Sequence, residues 1–173
     1  MNVLAKFKPI TTFALDMDGV LTDGSLLVLN DDQWVRRMNI KDGYALQLAV
    51  KKGYHVLVIS GSSSDAVKNR LHKLGVADVF MQVADKRSKL AEYATANRLS
   101  PEQVLFMGDD IPDLAPMQYC GMPCCPADAV AEVKAISQYI SAWGGGMGCV
   151  RDVIEKVLKL NGDWDIDTGI AAR

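Results

Sequence analysis

Histidine and cysteine are scarce in this 173-residue chain: two of the first, four of the second, and no Cys-x-x-Cys pair among them. A zinc site built on Cys120, Cys124, Cys125 and Cys149 would need histidine ligands, and His55 and His72 lie far away in sequence. Adjacent cysteines rarely bridge each other, so the four are expected to be reduced, mostly buried thiols, and the histidines ordinary scaffold residues. Long apolar runs are absent too. The most apolar stretches, such as His55–Ile59, fall far short of the roughly 20 residues a bilayer demands. Lys6 and Lys8 precede Pro9 and Asp16, which interrupt anything resembling a signal-peptide core, so a cytoplasmic address is the expectation. Nor is there a basic excess: 19 Lys+Arg against 21 Asp+Glu give a formal charge of −2, which argues against a nucleic-acid or membrane-surface partner.

What remains is an ordinary globular composition, 49% hydrophobic and 23% charged, of a length that suits one domain over 1–173. No repeat or linker divides it. Short β-branched runs at 12–15, 55–59, 79–81, 104–107 and, more weakly, 122–124 alternate with helical patterns near 42–52, 64–74, 86–98, 112–118, 128–136 and 148–160. That alternation predicts an α/β domain with a mainly parallel sheet. The first four runs each end in a small or acidic residue and a turn, at the sheet edge where open α/β folds place their sites. One segment breaks the rhythm. Residues 25–29 and 33–38 flank Asn30-Asp31-Asp32, which predicts a β-hairpin whose apolar side chains fold over the site or meet another subunit.

Four clusters could carry chemistry. Asp16 and Asp18 are two apart at the end of the first run, so they point the same way and repel unless a cation lies between them. Asp109, Asp110 and Asp113 follow the fourth long run; helix capping accounts for one aspartate comfortably but not for three, and a second carboxylate cluster at this edge makes an oxygen-ligand site suited to Mg²⁺. Lys86 opens a helix, where the macrodipole disfavours a cation, so it is expected to offset a carboxylate or bind an anion. Ser60-Gly61-Ser62-Ser63-Ser64 joins a strand end to a helix and offers hydroxyls and amides to a phosphate, with Ser63 or Ser64 as the helix cap. It is neither a nucleophile elbow nor a P-loop.

This ordered set resembles the haloacid dehalogenase superfamily of aspartyl phosphotransferases, through Asp16-Met17-Asp18-Gly19-Val20, Ser60-Gly61, Lys86 and Gly108-Asp109-Asp110-x-x-Asp113. The resemblance implies a Rossmann-like doubly wound sheet, and the short spacing between motifs implies the branch without a cap domain. Asp18–Gly24, the hairpin, Asp42-Gly43 and the Gly144–Gly148 run with Arg151-Asp152 resemble in particular the 3-deoxy-D-manno-octulosonate 8-phosphate phosphatase family. That likeness implies a homotetramer in which hairpins pack together and a neighbour's tail helps close each site. It also implies a sugar acid phosphate substrate and lipopolysaccharide precursor synthesis as the setting. Carried over, Asp16 is the nucleophile and Asp18 the acid and base. Ser60, Gly61 and Lys86 bind phosphate, and Asp16, Asp18 and Asp109 hold Mg²⁺ with Asp110 and Asp113 in support. Many family members carry Arg after the glycine of the second motif, where it can meet the sugar acid carboxylate and where this chain has Ser62; Ser62 and Arg70, two helical turns on, are the substrate-binding candidates, with Arg70 or a basic residue of a neighbouring subunit as the substitute for that arginine. A nine-carbon sialic-type sugar acid 9-phosphate is the alternative substrate. Two readings from other classes stand beside it: a phosphorylation receiver, which the chain order of the motifs opposes, and a non-catalytic assembly module, which the intact Asp16, Asp18 and Lys86 oppose. The stretch 161–173 is expected to order only in the oligomer.

Overall fold

The structure, a computed structural model, describes residues 3–171; positions 1, 2, 172 and 173 of the expected domain and tail lie outside the described residues. Its strands are β1 (Thr12–Leu15), β2 (Leu27–Val28), β3 (Trp34–Val35), β4 (His55–Ile59), β5 (Asp78–Phe80), β6 (Val104–Met107), β7 (Met122–Cys125) and β8 (Tyr139–Ile140). Helices are α1 (Val3–Phe7), α2 (Ile40–Lys51), α3 (Asp65–Lys73), α4 (Lys86–Ala96), α5 (Leu114–Tyr119), α6 (Ala131–Ile136) and α7 (Cys149–Asn161). The expected α/β class with a parallel sheet is what forms. Six strands pair in the order β5-β4-β1-β6-β7-β8, and every ladder is parallel.

β1 is buried on both faces, which is why it reads as a continuous apolar run. Phe13 and Leu15 join the core beneath α2, α3 and α7, while Ala14 joins Leu57, Ile59 and Phe106 in the core beneath α4, α5 and α6. Helices thus cover both sides of the sheet. The chain reverses direction across β1, with β4 on one side and β6 on the other, so the carboxyl ends of these three strands open at the switch point. Leu15 is in register with Val58 and with Met107, and Asp16, Ser60 and Asp109 therefore leave adjacent strands at one edge.

The expected hairpin forms, one expectation needs correction, and two short elements were not foreseen. The hairpin ladder is two pairs long, Leu27 with Val35 and Val28 with Trp34, because both its faces are exposed and no core draws it further. An isolated bridge between Thr22 and Met38 closes its base. The tail, expected to fray without a neighbour, lies along α2 in a single chain up to residue 171. Trp164 packs edge-on against Tyr44 (ring centroids 6.0 Å apart), Ile170 joins the core, Tyr54 donates to Asp163, and Lys51 and Lys52 pair with Asp167 and Asp165. Lastly, α1 and β8 carried no periodic signal, since elements of five and two residues are too short to show one. No helix among the described residues is long and apolar enough to cross a membrane, and the four cysteines are free and buried.

Candidate active site

At the carboxyl edge of the sheet a cavity of about 280 Å³ is lined by Asp16, Asp18, Gly24, Ser60, Gly61, Ser62, Lys86, Asp109, Asp110, Pro112 and Asp113. Nine of the ten residues singled out from the sequence therefore face one space. Arg70 is the exception: it lies on α3, in the wall of a neighbouring cavity.

Lys86 organises the centre. Asp85 caps α4 by accepting the Ser88 amide at 2.9 Å, which turns the first helical residue inward. Its ammonium, buried with the residue 7% exposed, contacts Asp16 Oδ1 at 2.8 Å and Asp113 Oδ1 at 2.7 Å. Burial pulls the Lys86 pKa down, but the two carboxylates outweigh it and raise it above its ordinary value. Asp113 is fully buried; its second oxygen accepts the amides of Asp109 (3.0 Å) and Asp110 (3.4 Å), fixing the loop after β6. Gly108 is required beside it, because a Cβ there would meet the Asp113 Cβ at 2.3 Å. Asp110 takes the capping role, accepting the Ile111 amide at 2.8 Å.

Asp16, Asp109 and Asp113 each bring an oxygen within 4.8 Å of the others. Burial, followed by the charge of Asp113, pushes the Asp16 carboxyl up to about 6. Burial, followed by Asp16, Asp113 and Asp110, pushes Asp109 up to about 7, and Asp109 Oδ1 is buried with no hydrogen-bond partner among the described residues. Gly19, at φ +88°, lets the loop after β1 pass directly over this carboxylate: a Cβ there would lie 2.0 Å from Asp109 Oδ2. The Gly144–Gly148 run, which reads equally as a flexible lead into α7, braces that loop instead. Gly146 donates to the Val20 carbonyl at 2.9 Å, and a Cβ on Gly145 would strike the Gly19 carbonyl.

Asp18 has a different environment. Arg36, the residue after β3 (Trp34–Val35), donates through Nε to Asp18 Oδ1 (2.7 Å) and through Nη2 to Oδ2 (3.2 Å); the Ser62 hydroxyl donates to Oδ2 at 2.7 Å. Burial raises its pKa, yet Arg36 and Ser62 prevail and hold the carboxyl below its ordinary range. That is the charge state of a base. Ser60, 2% exposed, accepts the Ser62 amide at 3.2 Å, and Ser64 caps α3. Arg36 is a site residue with no signal in the sequence, since an arginine 18 residues from its aspartate carries no local pattern; its contact brings the base of the hairpin to the site, one of the two alternatives its apolar pattern leaves open.

Residues 75–144 match the haloacid dehalogenase-like hydrolase family. The 3-deoxy-D-manno-octulosonate 8-phosphate phosphatase KdsC of Escherichia coli (strain K12) is 29% identical over 164 residues, 95% of this chain and 87% of the relative. Among solved structures, the corresponding phosphatase from Moraxella catarrhalis, in complex with magnesium ion, phosphate ion and KDO, superposes with a TM-score of 0.88 at 30% identity, covering 91% of each chain. That from Yersinia pestis gives 0.93 at 27% identity, over 97% of this chain and 91% of the other. With the motif residues gathered at one sheet edge and this likeness running nearly end to end, the chain belongs to the haloacid dehalogenase-like hydrolases.

Proposed function

We propose that this hydrolase is a Mg²⁺-dependent phosphomonoesterase that acts through an aspartyl-phosphate on a small sugar acid phosphate, 3-deoxy-D-manno-octulosonate 8-phosphate in the first place, in lipopolysaccharide precursor synthesis. The observation that carries the reading is the convergence of Asp16 and Asp109 beside Lys86, with one Asp109 oxygen buried and unpartnered. The donor set fits a hard divalent ion: five carboxylates, Asp16, Asp18, Asp109, Asp110 and Asp113, line the cavity against Lys86 within it and Arg36 on Asp18, which leaves negative charge in excess. Asp16, Asp109 and the Asp18 main-chain carbonyl would hold Mg²⁺. Both Asp113 oxygens are already engaged, by Lys86 and by two amides, so Asp113 supports rather than ligates. When bound, the ion shields phosphoryl charge so that a carboxylate can approach phosphorus.

In this reading Asp16, held by Lys86, attacks phosphorus in line with the leaving alkoxide. Ser60, the Gly61 amide and Lys86 take the phosphoryl oxygens, and Asp110 supports the loop. Asp18 protonates the departing alkoxide and then takes a proton from the hydrolytic water. Its hold by Arg36 suits the second task; the first requires that hold to loosen. Arg70 is kept as a substrate-binding candidate from the adjoining cavity. Exposed Leu27, Val28, Trp34 and Val35 on the hairpin support assembly into a homotetramer, and four free buried thiols support a cytoplasmic address.

Phosphate release from eight- and nine-carbon keto sugar acid phosphates, with Mg²⁺ and with a chelator, tests the reading. Turnover of the eight-carbon ester, abolished in Asp16→Asn and by metal removal, is expected. Preference for the nine-carbon ester would move the substrate assignment, and undiminished release by Asp16→Asn would end the mechanism.

A further inference from the structure

Two arginines stand side by side at the hairpin exit and differ completely in environment. The Arg37 side chain is 76% exposed and pairs loosely with Asp23 at 3.6 Å, whereas the Arg36 side chain is 4% exposed. The Thr22–Met38 bridge ties this segment to the loop that carries Asp18. Arg36 lies between β3 and that bridge, so its backbone is anchored on both sides. Three of its five N–H donors are spent, two on Asp18 and one, at 3.4 Å, on the Ser62 hydroxyl. Taking a guanidinium out of water for one partly exposed carboxylate returns little, so its burial points to another use.

Arg36 stands in the wall between two cavities. Asp18 and Ser62, which it touches, line the 280 Å³ space with the phosphate-handling groups. Arg36 itself lines the adjoining cavity of about 740 Å³, together with Trp34, Met38, Val67 and Arg70. Arg70 Nε is buried there with no hydrogen-bond partner among the described residues. Asp32 and Asp65 border the same cavity, so a carboxylate entering it is drawn to a guanidinium fork and not to a general positive field.

Resting on the phosphatase reading above, we propose that Arg36 is the specificity-determining residue: it receives the carboxylate of a substrate whose phosphoryl group occupies the small cavity, exchanging Asp18 for it. A hydroxyl such as Ser62 cannot make that bidentate contact, and a leaving group without an acid function leaves the Arg36–Asp18 pair in place and gains nothing from it. The chemical class selected is therefore a phosphorylated sugar acid over a neutral sugar phosphate.

Calorimetric binding of an eight-carbon 3-deoxy keto sugar acid, compared with its methyl ester, tests this without turnover. Wild type is expected to prefer the acid by about 10–100-fold, the range of a charge-assisted hydrogen bond. Arg36→Ala loses that preference, Arg36→Lys keeps part of it, and Arg37→Ala keeps all of it. In kinetics, Arg36→Ala is expected to lose at least about tenfold more kcat/KM on the sugar acid phosphate than on p-nitrophenyl phosphate, chiefly through KM. An unchanged acid-to-ester ratio in Arg36→Ala, no preference in wild type, or equal kinetic losses on both phosphates would overturn the assignment. Should wild type release phosphate from neither compound, the phosphatase reading falls while the binding comparison still decides the role of Arg36.

Discussion

Two groups of lysine–aspartate pairs in this molecule have the same chemistry and opposite surroundings. Lys86 sits between Asp16 and Asp113 with all three side chains at most 10% exposed. Lys51 and Lys52 hold Asp167 and Asp165 of the tail at the surface, with one side chain of each pair 62% exposed. In the first group water cannot replace a missing partner, so each charge depends on the others; in the second, solvent and salt substitute freely. Distances alone would rank these contacts as equals. Burial separates them, and it separates a reacting centre from a strap.

The sharpest break of that comparison is Lys86→Met. It leaves Asp16 and Asp113 facing each other uncompensated, and urea unfolding in the absence of divalent ions is expected to show a loss of roughly 3–5 kcal/mol. A loss no larger than that of a surface variant would mean that water reaches the centre after all. An intermediate case is Asp42, 2% exposed, whose Oδ1 accepts the Arg151 amide at 2.7 Å while Oδ2 has no partner among the described residues. Burial pushes its carboxyl up to about 6 from an ordinary 3.8. The folded chain therefore holds this proton when the unfolded chain has lost it, and stability falls as pH rises between those values. Asp42→Asn should remove a decline on the order of 3 kcal/mol from the wild-type curve, read as the difference between the two proteins' unfolding free energies at acidic and neutral pH. A constant difference would show the carboxylate to be solvated. The smallest effect belongs to Lys51→Ala with Lys52→Ala. It is expected to shift the melting temperature slightly at low salt and not at all at high salt, because the aromatic and apolar contacts of Trp164 and Ile170 keep the tail in place. Tail release, seen as rapid amide exchange over 163–170, would reverse the ranking.

Much of the architecture was legible along the chain. β1, β4 and β6 stand where their β-branched runs lie, since strands buried on both faces have to be apolar throughout. The acidic pair after β1, Ser60, Lys86 and the aspartates after β6 were visible for a related reason: each follows a strand that ends at the same edge. Arg36, the brace formed by Gly145 and Gly146, and the docking of the tail were not. Each depends on segments distant in sequence meeting in space, and neither periodicity nor local spacing encodes such a meeting.

The sequence by itself determined five of the six strands of the main sheet and which charged groups wait at their ends, because local periodicity and turn chemistry act over a few residues. Only the tertiary structure decided which carboxylate met which cation. Asp16 pairs with Lys86 and Asp18 with Arg36, because strand order and the Thr22–Met38 bridge determine which groups come within reach of one another.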